Sequence, residues 1–219
     1  MITDRQTKIL QEARDFAYVE LKDETSGHDW WHIVRVTNIA VEIAKQERAD
    51  VFICELAALL HDIADGKLNE SEEVGLQKVE QWLQNHQASE AEIAHVLEIV
   101  STMSFKGDHQ QKNISTLEGK IVQDADRLDA IGAIGIARAM AYSGHIGRPI
   151  HDPDLQPREN MTLEEYRTGK SSAIMHFYEK LLKLKDMMNT SATQKMAESR
   201  HRFLEEYLDQ FYAEWNAKK

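Results

Sequence analysis

Along this chain apolar side chains recur at steps of three and four residues, with polar ones between them. Ile9, Leu10, Ala13, Phe16, Ala17 and Leu21 fall on one helical face by that spacing. The stretch SGHDWWHIVRVTNIAVEIAKQE reads as a loop entering a second helix. DVFICELAALLHD is a third, apolar nearly all round and therefore expected in the core. SEEVGLQKVEQWLQN and SEAEIAHVLEIVSTM each open on Ser with acidic residues in the first turn, the mark of a capped helix start. TLEGKIVQDADRLDAIGAIGIARAMAYSG predicts a long, largely apolar helix that its glycines can break. No segment alternates apolar and polar residues between turn signals as a strand does, so the pattern predicts an all-α protein.

The periodicity lapses over 143–162. SGHIGRPIHDPDLQPRENMT holds all three prolines, with Gly144, Gly147, Arg148, Arg158 and two histidines, and predicts a long loop. Two more helices are expected after it, over 163–217. In the last, Phe203, Tyr207, Phe211 and Trp215 step by four beside Leu204, Leu208 and Tyr212. Core packing is the expected use of that stripe, contact with a second copy in a homodimer the alternative. No internal repeat or low-complexity tract suggests a boundary, so residues 1–219 read as one domain.

Composition narrows the function. The chain has 219 residues, 42% hydrophobic, enough for a sizeable core. Its 26 basic and 37 acidic side chains give a net charge of -11 with His neutral, and no run of Lys and Arg offsets it. Nucleic acid and anionic lipid are thereby disfavoured as partners, and an anionic substrate would need a metal or a few placed cations. The single cysteine, Cys54, sits in an apolar run and reads as a buried structural thiol. With no leader-like basic and apolar N-terminus and no run long enough to span a bilayer, the expected location is the cytoplasm.

One stretch does not fit a helix devoted to packing. AALLHDIADGKLNE, residues 57–70, ends an apolar run on His61-Asp62, with Asp65 one turn later and Gly66 after it. Neighbours on a helix point about 100° apart, so they meet one small ligand only where the helix ends. An imidazole and a carboxylate so placed suit a divalent ion. Two further places supply donors: His32 in HDWWHIVRV, and Asp124, Asp126 and Asp129 in VQDADRLDAIGA, acids on an otherwise apolar helix. A desolvated, unpaired carboxylate is costly there, and a cation would remove the cost, although Asp129 has the simpler expectation of facing water.

His32, then His61-Asp62, then Asp126 resemble the ordered H…HD…D signature of the HD-domain metal-dependent phosphohydrolases. The flanking words HIVRV, LAALLHDIAD and DADRLDAIGA match as well, over residues 25–140. The remainder is similar to the small bacterial stand-alone HD hydrolases. The resemblance implies an HD-type helical bundle with additional C-terminal helices. It implies one divalent ion (Mn first, with Mg, Fe, Co, Ni or Zn as alternatives) held by His32, His61, Asp62 and Asp126, the family pattern selecting the Asp before Arg-Leu. The implied reaction is hydrolysis of a phosphoester or phosphoanhydride of a nucleotide, by a triphosphate pyrophosphohydrolase or a nucleotidase. A signalling-nucleotide phosphodiesterase, an alarmone hydrolase and a non-catalytic nucleotide sensor are the alternatives. Asp65 takes the place of an acid that activates water in some relatives, with a turn-forming role as its alternative. Arg35, Lys67, His28 and Arg148 are candidate phosphate contacts; Arg35 could instead pair with a metal-ligating carboxylate, and His28 could buttress the ligands. His86, His95 and His109 are available for a second ion, but no arrangement like that of the binuclear relatives is visible.

Overall fold

The computed structural model describes residues 2–25, 27–65, 68–103, 114–158 and 169–219, and among these every regular element is helical. Among the described residues nine α-helices follow in order: α1 (Asp4–Leu21), α2 (Trp30–Glu47), α3 (Val51–Leu60), α4 (Glu72–Asn85), α5 (Glu90–Met103), α6 (Leu117–Asp129), α7 (Gly132–His145), α8 (Ala173–Glu179) and α9 (Ser191–Trp215). Short 3-10 segments cover His61–Ala64 and Leu181–Met187.

Most starts are capped by a side chain just before the first turn. Thr3 and Gln6 form a reciprocal box at α1, Asp29 accepts from the His32 N–H at α2, and Ser71 and Thr116 open α4 and α6. Asp50 accepts from the N–H groups of Phe52 and Ile53 at α3, while its own N–H donates to Glu118, joining the start of α3 to that of α6.

The apolar α3 is the centre of the bundle. Phe52, Ile53, Cys54, Leu56 and every residue from Ala57 to Leu60 are buried, because α1, α2, α5 and α6 all pack against it. Burial raises the Cys54 thiol pKa and leaves it an inert core group. On the other side α2 lies against α6, and α9 reaches back across α7, α6 and α2.

The long apolar stretch expected after Thr116 is two helices. α6 stops at Asp129, and Gly132 opens α7 at φ +75, a conformation that side chains other than glycine rarely adopt. α7 continues to His145, so residues 143–145, expected in the loop, are helical, and the Pro-rich excursion begins at Ile146. Its last four residues, 159–162, lie outside the described set. The aromatic stripe of α9 divides. Leu204 and Leu208 are buried, Tyr207, Phe211 and Tyr212 pack on the edge of the core, and Phe203 and Trp215 are exposed at 45% and 52%. Among the described residues no helix is long and apolar enough to cross a membrane.

Candidate metal centre

At the end of α3 the backbone tightens. His61 closes the α-helix and begins the 3-10 turn His61–Ala64, which Asp65 ends in extended conformation. This tightening brings two neighbouring side chains to one point: His61 Nε2 lies 3.3 Å from Asp62 Oδ1. The turn is held from outside. Asn69 donates its amide to the carbonyls of Ile63 and Asp65 at 2.8 and 2.9 Å. Gly75 of α4 passes so close behind it that a Cβ there would sit 2.6 Å from the Ala64 carbonyl oxygen.

From α2, His32 points into the same space. Its Nε2 is 3.3 Å from Asp62 Oδ2 and 3.5 Å from Asp126 Oδ1, the carboxylate that α6 contributes. His32 is fully buried, His61 and Asp62 nearly so, and the Asp126 side chain is 32% exposed, so the site opens to solvent at Asp126.

The hydrogen bonds define what each ring offers. His32 Nδ1–H donates to Asp129 Oδ2 at 2.7 Å, and His61 Nδ1–H donates to the Ala58 carbonyl at 2.8 Å. Both Nε2 atoms are buried with no hydrogen-bond partner among the described residues. Burial opposes ionisation of both acids, yet Asp62 is held well below the usual carboxylate range by His61 and His28, and Asp126 is lowered by His32 and His61. Burial likewise opposes charge on His32, but the hydrogen bond to Asp129 and the nearby Asp62 carboxylate outweigh that and push its pKa up to about 9. The pocket therefore calls for positive charge between the rings and the acids. Two bare imidazole nitrogens facing two carboxylates are a donor set that a divalent cation satisfies, and His32, His61 and Asp126 each offer one atom within 4.8 Å of the others.

The remaining sequence candidates fall in different places. His28 joins the centre, its Nδ1–H donating to Asp62 Oδ2 at 3.0 Å. Asp129 does not face water: it is 1% exposed. Burial opposes its charge, but hydrogen bonds from His32 and Arg35, with the charge of Arg138, hold the carboxyl far below its ordinary value. Arg35 pairs with this same acid through Nε at 2.7 Å and Nη2 at 3.0 Å, and Asp129 is not one of the four expected ligands. Asp124 is buried too, and takes the N–H groups of Asn189 and Thr190 and the Thr193 hydroxyl, a structural tie to the start of α9.

Arg148 follows α7, and among the described residues its side chain makes no hydrogen bond or ion pair with the centre. Arg158, of the Pro-rich loop, holds Glu179 at 2.7 Å. His86 stacks on Trp82 and bonds its carbonyl, and His95 faces Glu118 at 3.6 Å. Lys67 and His109 lie outside the described residues. Two cations escaped the sequence reading. Arg138 of α7 donates to Asp129 Oδ2 at 3.0 Å and to the Gly27 carbonyl at 2.9 Å. Lys180, in the turn after α8, is lowered by burial while Asp126 acts to raise it. Neither belongs to a spacing motif; only the folded chain brings them near Asp126.

Known proteins resemble this chain over nearly its whole length. A model of the HD domain matches residues 30–131. The YpgQ protein of Bacillus subtilis is 38% identical over 207 residues, 94% of this chain and 93% of that protein. A solved structure of YpgQ in complex with ADP aligns with a TM-score of 0.78, at 37% identity over 96% of each chain. A structure from Lactobacillus plantarum aligns at 0.87, with 41% identity over 99% of this chain and 100% of that one. An HD-superfamily hydrolase from Bacillus thuringiensis aligns at 0.76, with 47% identity over 97% and 99%. With the motif, the helical bundle and the convergent His and Asp side chains all in agreement, this chain belongs to the HD-domain family.

Proposed function

We propose that the chain is a metal-dependent phosphohydrolase whose substrate is a nucleotide, acting as a triphosphate pyrophosphohydrolase or a nucleotidase. The observation that carries this reading is the pair of bare, buried Nε2 atoms of His32 and His61 facing the Asp62 and Asp126 carboxylates. These four residues would hold one divalent ion, Mn first among the candidates. Such an ion supplies Lewis acidity toward a phosphate oxygen and makes water a better nucleophile near neutral pH.

The chain's own groups do the rest. Asp62 and Asp126 carry the charge that retains the cation, and His28 fixes the orientation of Asp62. Asp65, three residues beyond Asp62 and anchored by Asn69, takes the proton of the attacking water as the phosphorus–oxygen bond to the leaving group breaks. Lys67 and Arg148 are the proposed phosphate contacts. A nucleotide is favoured because YpgQ, similar over nearly its whole length, has been solved with ADP.

The test uses metal-stripped protein reconstituted with Mn, Mg, Co or Ni. A panel of nucleoside mono-, di- and triphosphates is assayed with phosphate and pyrophosphate measured separately, against Asp62→Ala as the blank. Metal-dependent release above the blank is expected. Absence of release on every nucleotide with every metal overturns the enzyme reading, and if ADP then still binds, the chain is a sensing module.

A further inference from the structure

Asp129 stands outside the set of four residues and yet is held more firmly than any of them. Oδ2 accepts from His32 Nδ1–H at 2.7 Å, from Arg35 Nη2 at 3.0 Å and from Arg138 Nη1 at 3.0 Å, while Oδ1 accepts from Arg35 Nε at 2.7 Å. A useful contrast is Asp124, equally buried on the same helix, whose hydrogen-bond donors include backbone N–H groups, an amide and a hydroxyl. Two arginines are more than packing requires of one buried acid. They are placed so that the acid keeps its charge while directed at a single ring, the one whose other nitrogen faces Asp62 and Asp126.

We infer that Asp129 is a positioning residue for the metal centre. Clamped by Arg35 and Arg138, it fixes the orientation and tautomer of His32, strengthens Nε2 as a donor, and so sets the affinity of the site for its cation. This rests on the metal-centre reading above. The physical basis is that a carboxylate receiving Nδ1–H leaves the lone pair on Nε2 and makes the imidazole more basic. Arg138 extends the same brace to the Gly27 carbonyl, beside His28, so one guanidinium steadies both His32 and the segment that carries the partner of Asp62.

The experiment titrates metal-free protein with Mn²⁺, following free Mn²⁺ by electron paramagnetic resonance, and records the visible spectrum of the Co²⁺ form. Asp129→Asn keeps the shape and loses the charge; it is expected to weaken Mn²⁺ binding by about 10- to 100-fold and to shift the Co²⁺ bands. Arg35→Gln, which leaves Asp129 and Arg138 in place, is expected to weaken binding less. Asp124→Asn is the structural control: it should lower the melting temperature of the metal-free protein and leave the Mn²⁺ affinity unchanged. A folded Asp129→Asn protein with wild-type Mn²⁺ affinity and Co²⁺ spectrum overturns the inference. If Asp129→Asn does not fold, wild-type affinity in Arg35→Gln overturns it. Equal loss in Asp124→Asn also overturns it, since the effect is then general loosening. A wild-type chain that binds neither ion overturns the metal centre itself, and that result is read before any variant is made.

Discussion

His32 and His61 share one arrangement: Nδ1 is occupied by a carboxylate or a carbonyl, and Nε2 is left bare toward two acids. Asp65 ends the same turn. Asp65→Asn removes the proposed proton acceptor with little change of shape, and kcat should fall by about 10²- to 10⁴-fold with KM nearly unchanged. Steady-state kinetics on the best nucleotide decides this, and a parallel rise in KM would assign Asp65 to substrate binding. Elsewhere, Glu92 illustrates an acid whose duty is stability. Hydrogen bonding from Arg5 is the main influence, working against burial, and with Ser89 and Gln6 it lowers the Glu92 carboxyl from 4.5 to about 2. A pKa that falls on folding stabilises the protein fully above the unfolded value, and the contribution fades as pH drops through the folded one. The stability gap between wild type and Glu92→Gln should therefore be full at pH 7 and close between about pH 4.5 and 2. Denaturant unfolding across that range tests it; a gap independent of pH contradicts the pairing.

At the scale of elements, α4 controls the turn that presents His61 and Asp62. Because a Cβ on Gly75 would lie 2.6 to 2.8 Å from the Ala64 backbone, Gly75→Ala must push the two elements apart. Urea unfolding should show a loss of about 1–3 kcal/mol, with weaker Mn²⁺ binding from the displaced turn. Wild-type stability would mean that α4 yields without strain. The helices themselves were legible in the sequence, since caps and apolar spacing are local signals, as at Ser71. The break at Gly132 was visible only as a weakness, because its positive φ depends on how α7 packs. His61-Asp62 could be read because the apolar run of α3 isolates it. Asp126 could be chosen from three acids only through the family pattern. The place of Asp129 was not legible, because its neutralising partners, Arg35 and Arg138, are defined by the docking of α2 and α7 onto α6.

For the whole molecule, the anionic surface and the cation-seeking interior are separate matters. A net charge of -11 is spread over the chain. The buried acids of the centre instead concentrate charge where α2, α6 and the end of α3 meet. A cation held there ties those elements together in the folded state alone. Mn²⁺ at 100 times its Kd should raise stability by about 2.7 kcal/mol, seen as a melting temperature higher by several degrees, and Asp126→Ala should abolish the increase. Melting curves with and without chelator provide the check, and no shift in the wild type would contradict a native-state site.

The His32–Asp129 bond joins residues 97 positions apart in the chain. A nascent or partly assembled polypeptide thus has the separate ligands but no centre, because α2, the end of α3 and α6 must first dock. A cation that binds only once these elements have docked would enter late in folding, with its energy on the escape side of the barrier. Added cation would slow unfolding and leave the folding rate almost untouched, making the ion a latch on a finished bundle and not a nucleus for building one.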